Sequence, residues 1–177
     1  MEPKQIALNN KQKERHDRGQ DFQNEIKNSW RHVPSIWTMP IADGRGGSRA
    51  ADRITIAPKV NLLTELKRTS KKEFQLSFLR QNQIRGLVDF DQIIEQNYGV
   101  VLVSFHDLPK GVDEAYAIRL TAALRFMQQH DRTNIKLEEL RIRATQGLTK
   151  IAIPLPRLNT QAPAYDLKGL IECYKYF

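Results

Sequence analysis

Apolar positions along this chain change their period several times, and each change marks an element. Phe22, Ile26 and Trp30 recur at four-residue spacing, one face of a helix, and predict a helix over about 20–30. Pro34 and Pro40 then break the chain. Ile54 and Ile56 alternate with Thr55, and Val60, Leu62 and Leu63 follow a turn at Pro58-Lys59. That pattern predicts two strands, about 53–57 and 60–67, paired as an antiparallel hairpin. The basic turn KRTSKKEFQ leads to a helix over about 77–96, in two pieces if Gly86 breaks it. Gly99 opens VVLVSF, a continuous apolar run of the kind found in a strand buried on both faces. Another strand, about 114–119, follows the Pro109/Gly111 turn. RLTAALRFMQQH (119–130) and KLEELRIRA (136–144) read as helices, with Thr133 or Asn134 as N-cap of the second. KIAIPLPRL gives a short edge segment restricted by Pro154 and Pro156, and DLKGLIECYKYF closes as an amphipathic helix. The order of elements predicts an α/β fold, a central mixed β-sheet flanked by helices.

Two polar stretches interrupt this pattern. Residues 1–18 form a basic, aromatic-free N-terminal arm, suited either to lie along a phosphate backbone or to be a solvated tail. Residues 40–51 form a loop rich in Gly that carries Arg45 and Arg49. The 177-residue length suits one domain, over 19–177 after the arm. With 40% hydrophobic and 27% charged residues the composition is that of an ordinary globular protein. The start lacks the apolar region of a secretory leader, and no apolar run approaches the ~20 residues that span a bilayer, so no membrane partner is expected. Cys173 has no second cysteine to pair with, which fits a reducing, cytoplasmic setting. A net charge of +8 favours a polyanionic partner such as DNA, although basic proteins without one are common.

The charge matters most where it surrounds carboxylates. Asp52 stands at the mouth of the first hairpin strand and Glu65 thirteen positions later on the second, where a tight hairpin can bring the two together. Paired carboxylates repel, and a hard divalent cation such as Mg²⁺ relieves that repulsion; the backbone carbonyl of Leu66 can add a further oxygen ligand. Lys67, two residues after Glu65 and on the same strand face, can reach the same phosphate. Arg45, Arg49, Arg53, Arg68, Lys71 and Lys72 flank this group and are candidate DNA contacts. The rival reading is a surface strand with a Glu–Lys pair worth under ~1 kcal/mol, beside a solvated basic face. Trp30 continues the helical stripe and belongs to the core, whereas Trp37 can stack on bases or merely fill a turn. His32, His106 and His130 are scattered and show no zinc-ligand spacing.

The chain resembles the RecU Holliday junction resolvases of Gram-positive bacteria and their phages, from about Arg18 to the C-terminus. The likeness lies in RGQDFQNEIKNS, the Asp52-to-Glu65 separation, TELKRT, FQLSFLRQNQI with Gln83, GVVLVSF, LEEL and the Pro-Arg at Arg157. It implies a PD-(D/E)xK restriction-endonuclease-like core in a bacterial or phage-infected cytoplasm. It also implies a homodimer that nicks opposing strands of a four-way junction with Mg²⁺ or Mn²⁺. On that likeness Asp52 and Glu65 hold the metal, Lys67 assists, and Gln83 orients water or contacts phosphate. Three departures stand out. Gln23 occupies the position of the family's first-helix glutamate, and Glu25 lies about 200° around the helix from it. The segment before Asp52 is short for the family's stalk, and about four extra residues separate Gln83 from Gly99. Two rivals follow: a nuclease of the same class acting on other DNA structures, and a non-catalytic or weakly catalytic DNA-binding protein on a nuclease fold.

Overall fold

The computed structural model describes residues 19–42, 49–145 and 151–173. The basic arm and the centre of the Gly-rich loop, Arg45 included, lie outside the described residues. Five helices and eight strands are described: α1 (19–30), β1 (Trp37–Pro40), β2 (Arg53–Ala57), β3 (Val60–Thr69), β4 (Glu73–Gln75), α2 (Gln81–Ile93), β5 (Asn97–Asp107), β6 (Val112–Arg119), α3 (Leu120–Gln129), β7 (Asn134–Lys136), α4 (Leu137–Thr145), β8 (Ala152–Pro154) and α5 (Lys168–Ile171). Six strands form one sheet in the order β1-β2-β3-β5-β6-β8, and β4 pairs with β7 in a second, small one. In the large sheet only β3 and β5 run parallel, joined by the crossover through α2. No helix among the described residues is long and apolar enough to cross a membrane.

The sheet separates two hydrophobic cores, which is why the centre of β5, residues 100–103, is apolar on both faces. Val101, Val103 and Phe105 face one side with α2, α3 and α4; Val100 and Leu102 face the other with α1. The Phe22–Ile26–Trp30 stripe lies in that second core, joined by Tyr165, Leu167, Leu170 and Cys173 from the C-terminal segment. At roughly 1.5–3 kcal/mol for each fully buried large apolar side chain, these two layers supply most of the driving force for folding.

Several predicted boundaries shift, each for a physical reason. The hairpin forms in the expected register, but β3 continues to Thr69 because β5 pairs along its whole length. The helix over 77–96 becomes a 3₁₀ turn at Leu76–Phe78 followed by an unbroken α2. Gly86 does not break the helix; a Cβ there would sit 2.4 Å from the Ala50 Cβ, so the glycine admits a close neighbour. Asn134 is not an N-cap. It belongs to β7, and the helix behind it starts where the Lys136 N–H donates to the Glu139 carboxylate at 2.8 Å. β1, β4 and β7 are four residues or fewer and gain their hydrogen bonds only from partners distant in sequence. Of the closing helix, one turn, Lys168–Ile171, is described.

One contact sets the distance between α2 and the sheet. A Cβ on Gly99 would lie 2.1 Å from the Leu87 carbonyl oxygen, so the helix backbone rests on bare strand backbone. Below it the buried Asp91 accepts the Gly99 N–H at 3.1 Å and a two-pronged Arg119 guanidinium at 3.0 and 2.8 Å. Gly99→Ala must lift α2 off β5, and an expected loss of about 3 kcal/mol in urea unfolding follows from the cost of overpacking against backbone. Gly19→Ala, with nothing within 4 Å of its added Cβ, serves as control and stays within about 0.5 kcal/mol of the parent.

Candidate active site

β3 alternates between the two cores, and that alternation builds the site. Leu62 and Leu66 turn toward α1, while Leu63 and Glu65 turn toward α2. Glu65 is therefore carried into the layer beneath α2, where it is 2% exposed. Gln83, on the first turn of α2, donates its amide to Glu65 Oε1 at 2.6 Å. The Gln83 amide is itself oriented, because its oxygen accepts the Arg80 N–H at 2.9 Å. Lys67 reaches back along the strand face and places Nζ 2.7 Å from the same Oε1. Glu65 Oε2 is buried and has no hydrogen-bond partner among the described residues.

Asp52 arrives from the other strand. It sits one residue beyond the last β2–β3 rung, Arg53↔Thr64, and its backbone N–H donates to the Thr64 carbonyl at 3.0 Å. Its carboxylate, 8% exposed, accepts the Leu66 N–H at 2.7 Å on Oδ2 and pairs with Arg49 at 2.6 Å on Oδ1. Backbone alternation turns the Leu66 carbonyl to the same side as its N–H, toward Asp52 and beyond the end of β2. The structure thus brings Asp52, Glu65, Leu66 and Lys67 of the hairpin together, and α2 adds Gln83.

The electrostatics are those of a crowded acid pair. Burial pushes the Glu65 carboxyl above the usual range, the Asp52 charge pushes it further, and Lys67 and Arg49 only partly oppose them. A buried carboxylate oxygen without a donor, next to a second carboxylate, is an unfavourable arrangement for a scaffold alone. Hard divalent cations take such oxygens. The donor set fits one: among the described residues Glu65 Oε2 has no partner and Asp52 Oδ1 is paired with an arginine side chain, and the Leu66 carbonyl lies on the Asp52 side of β3. Among the described residues no group of three or more His, Cys, Asp or Glu side chains could hold a metal, so further ligands would have to be backbone, water or substrate.

The basic residues expected to contact DNA divide. Lys71 and Lys72 are exposed, with the Lys71 ammonium 3.0 Å from Gln75 Oε1. Arg53 is half-buried and donates to Thr38 Oγ1 at 3.2 Å; burial lowers its pKa. Arg49 is held on Asp52. Arg68 departs from expectation: its side chain is 5% exposed, lies over the Phe22 ring and is paired with Glu25 at 2.6 Å. It is a tie between β3 and α1, not an open DNA contact. Glu25 is committed in turn, since Arg157 also reaches it at 2.9 Å, so it does not join the acid pair. Gln23 lies half-buried on the groove side of α1.

Two features escaped the sequence reading. Arg49 was visible as a loop arginine, and its three-residue spacing from Asp52 was the available signal. The Asp91–Arg119 clamp, between residues 28 apart, had none.

No family model matches the chain, and no curated protein matches it. Among solved structures the chain is similar to Hjc, a Holliday junction resolvase from the archaeal hyperthermophile Archaeoglobus fulgidus. The identity is 15%, the match covers 58% of this chain and 78% of that one, and the TM-score is 0.41. A likeness this distant leaves function to be argued from the chain's own residues.

Proposed function

We propose that this protein is a divalent-metal-dependent DNA endonuclease of the PD-(D/E)xK kind, acting on four-way junctions as a homodimer. One observation carries the reading: Glu65 keeps a buried oxygen without a donor among the described residues, feels the charge of a second carboxylate, Asp52, and has the Lys67 ammonium on its other oxygen. The surplus of +8 supports a phosphate-bearing substrate. The choice of four-way junctions follows the resemblance of TELKRT and its flanking segments to junction resolvases. A junction has approximate two-fold symmetry, so paired cuts suit a symmetric dimer.

Asp52, Glu65 and the Leu66 carbonyl would hold Mg²⁺ or Mn²⁺, which when bound would supply positive charge for the phosphate and lower the pKa of water. The protein's own groups do the rest. Leu66 N–H fixes the Asp52 carboxylate, and Gln83 fixes Glu65 Oε1, so neither acid needs to reorganise. Lys67 places a cation where charge develops on the pentavalent phosphorus. Gln23, neutral where the resembled family has an acid, favours the rival reading of a weakly catalytic DNA-binding protein.

Incubation with a labelled four-way junction and a linear duplex, with and without Mg²⁺ or Mn²⁺, tests the proposal. Symmetric metal-dependent nicks confined to the junction are expected. Asp52→Asn should slow them at least about 100-fold, more than the loss of a partner that only supports a ligand. A parent that binds junctions but nicks nothing in either metal makes the rival correct.

Arg49 and a cation compete for the same Asp52 oxygen. Arg49→Ala is therefore expected to tighten Mn²⁺ binding about fivefold in calorimetry, the equivalent of roughly 1 kcal/mol for a partly exposed ion pair. Equal or weaker binding would rule the competition out.

The raised Glu65 pKa fixes a sign. The folded state holds the Glu65 proton more tightly than the unfolded state, so the charged form costs stability above the folded pKa and the cost vanishes below 4.5, the ordinary value. Without metal, Glu65→Gln should melt higher than the parent at pH 8, and the gap should close as pH falls through that window. Saturating Mg²⁺ should reverse the order at pH 8 by stabilising only the parent.

A further inference from the structure

A groove of about 740 Å³ runs between α1 and the β1–β2 edge of the sheet. Gln20, Gln23, Asn24 and Lys27 from α1 and Arg31 just past its end form its wall, next to the buried Phe22–Ile26–Trp30 stripe. Arg53 reaches in from β2. Each of these six side chains offers N–H donors, and no carboxylate lines the groove. Six other arginines are neutralised: Arg49, Arg68, Arg119, Arg132, Arg141 and Arg157 each hold an Asp or Glu. The side chains of Lys27 and Arg31 are exposed and have no ion-pair partner among the described residues. Two uncompensated cations one helical turn apart, in a wall of amide donors, complement a chain of phosphates and nothing acidic of smaller reach.

The groove's position fits the same occupant. Arg53 follows Asp52 directly, and strand alternation sends the two side chains to opposite faces, Asp52 to the acid pair and Arg53 to the groove. From residue 20 to residue 31 the wall measures about 16 Å, the axial rise of roughly five nucleotides of one strand. We propose that this groove seats the sugar–phosphate backbone of a DNA strand where it runs away from the cleavage site, with Lys27 and Arg31 as its phosphate contacts. The inference extends the nuclease reading by giving the substrate a second, non-catalytic hold on the opposite face of the sheet.

The test uses the full chain carrying Lys27→Gln and Arg31→Gln together, and the charge-reversed pair K27E/R31E. Binding of a fluorescent four-way junction and a single strand is followed by anisotropy without divalent metal across a salt series. In the neutral pair, affinity should fall about tenfold near 0.1 M salt, and the slope of log K against log salt should flatten by roughly 2, one unit for each lost phosphate contact. The reversed pair should bind more weakly still. Melting temperature and Mn²⁺ binding should match the parent. Parent-like affinity and slope in both variants would overturn the groove, as would a loss of fold or of Mn²⁺ binding that accounts for the weaker association. The two readings fail separately. A parent that binds DNA through Lys27 and Arg31 but neither takes up Mn²⁺ nor cuts keeps the groove and removes the nuclease. A parent that cuts, with both variants unchanged in binding, does the reverse.

Discussion

β3 runs on past its last rung with β2, and the backbone donor left open there binds the Asp52 carboxylate. Thr64 closes the ladder against Arg53, and Leu66 N–H, two residues further, holds Asp52 Oδ2 at 2.7 Å. The shorter strand ends on an acid and the longer strand supplies the missing rung through that acid's side chain. This offset is what holds Asp52 beside β3. Were β2 two residues longer, its backbone would take the Leu66 N–H, and Asp52 would have no anchor beside Glu65. β3 can extend alone because β5 pairs with it in parallel up to Thr69↔Phe105, so its other edge stays satisfied.

α2 imposes the second constraint, and it does so with a stripe that is only one-third apolar. Gln83, Leu87 and Asp91 are its buried residues, four apart, all facing the sheet. Gln83 holds Glu65, the Leu87 backbone rests on Gly99, and Asp91 clamps Arg119 and the Gly99 N–H. A glycine in the strand, which by itself weakens a sheet, is what lets the helix come close enough for a glutamine to reach the acid. The rigidity that positions Glu65 is therefore bought below the site, through the Asp91 clamp, and not at the site, where charge repulsion works against the fold.

How much of this was legible in the residues depends on whether the determinant was local. The hairpin was legible, because Ile54–Thr55–Ile56 alternates and the Pro58-Lys59 turn fixes its register, and with register came the meeting of Asp52 and Glu65. The two-faced burial of β5 was legible in VVLVSF. Long-range determinants were not. Gly86 carries the same side-chain information as any helix-breaking glycine, and only the position of Ala50 reveals a packing role. Asn134 looked like a cap because its partner strand, Glu73–Gln75, lies about sixty residues away. Arg68 belonged by composition to a basic cluster, yet Glu25 from α1 and Ser104 from β5 take its guanidinium into the interior. Charge counted along a chain says how many cations there are, not which remain available.

That distinction decides how the protein's basicity should be read. Several of the described arginines close the fold: Arg68 and Arg157 tie α1 to the sheet through Glu25, Arg119 locks α2, and Arg141 pairs with Glu114. Only charges left outside such pairs generate a field that a polyanion can feel at a distance. Lys71 and Lys72 are exposed after β3, and Lys27 and Arg31 line the α1 groove. On the proposed nuclease reading, a phosphate chain drawn by both would meet Glu65 and Asp52, whose charges repel it. On that reading, attraction on the flanks with repulsion at the acids would bring a backbone close without binding it firmly there, and a divalent cation held by Asp52 and Glu65 would turn that repulsion into attraction.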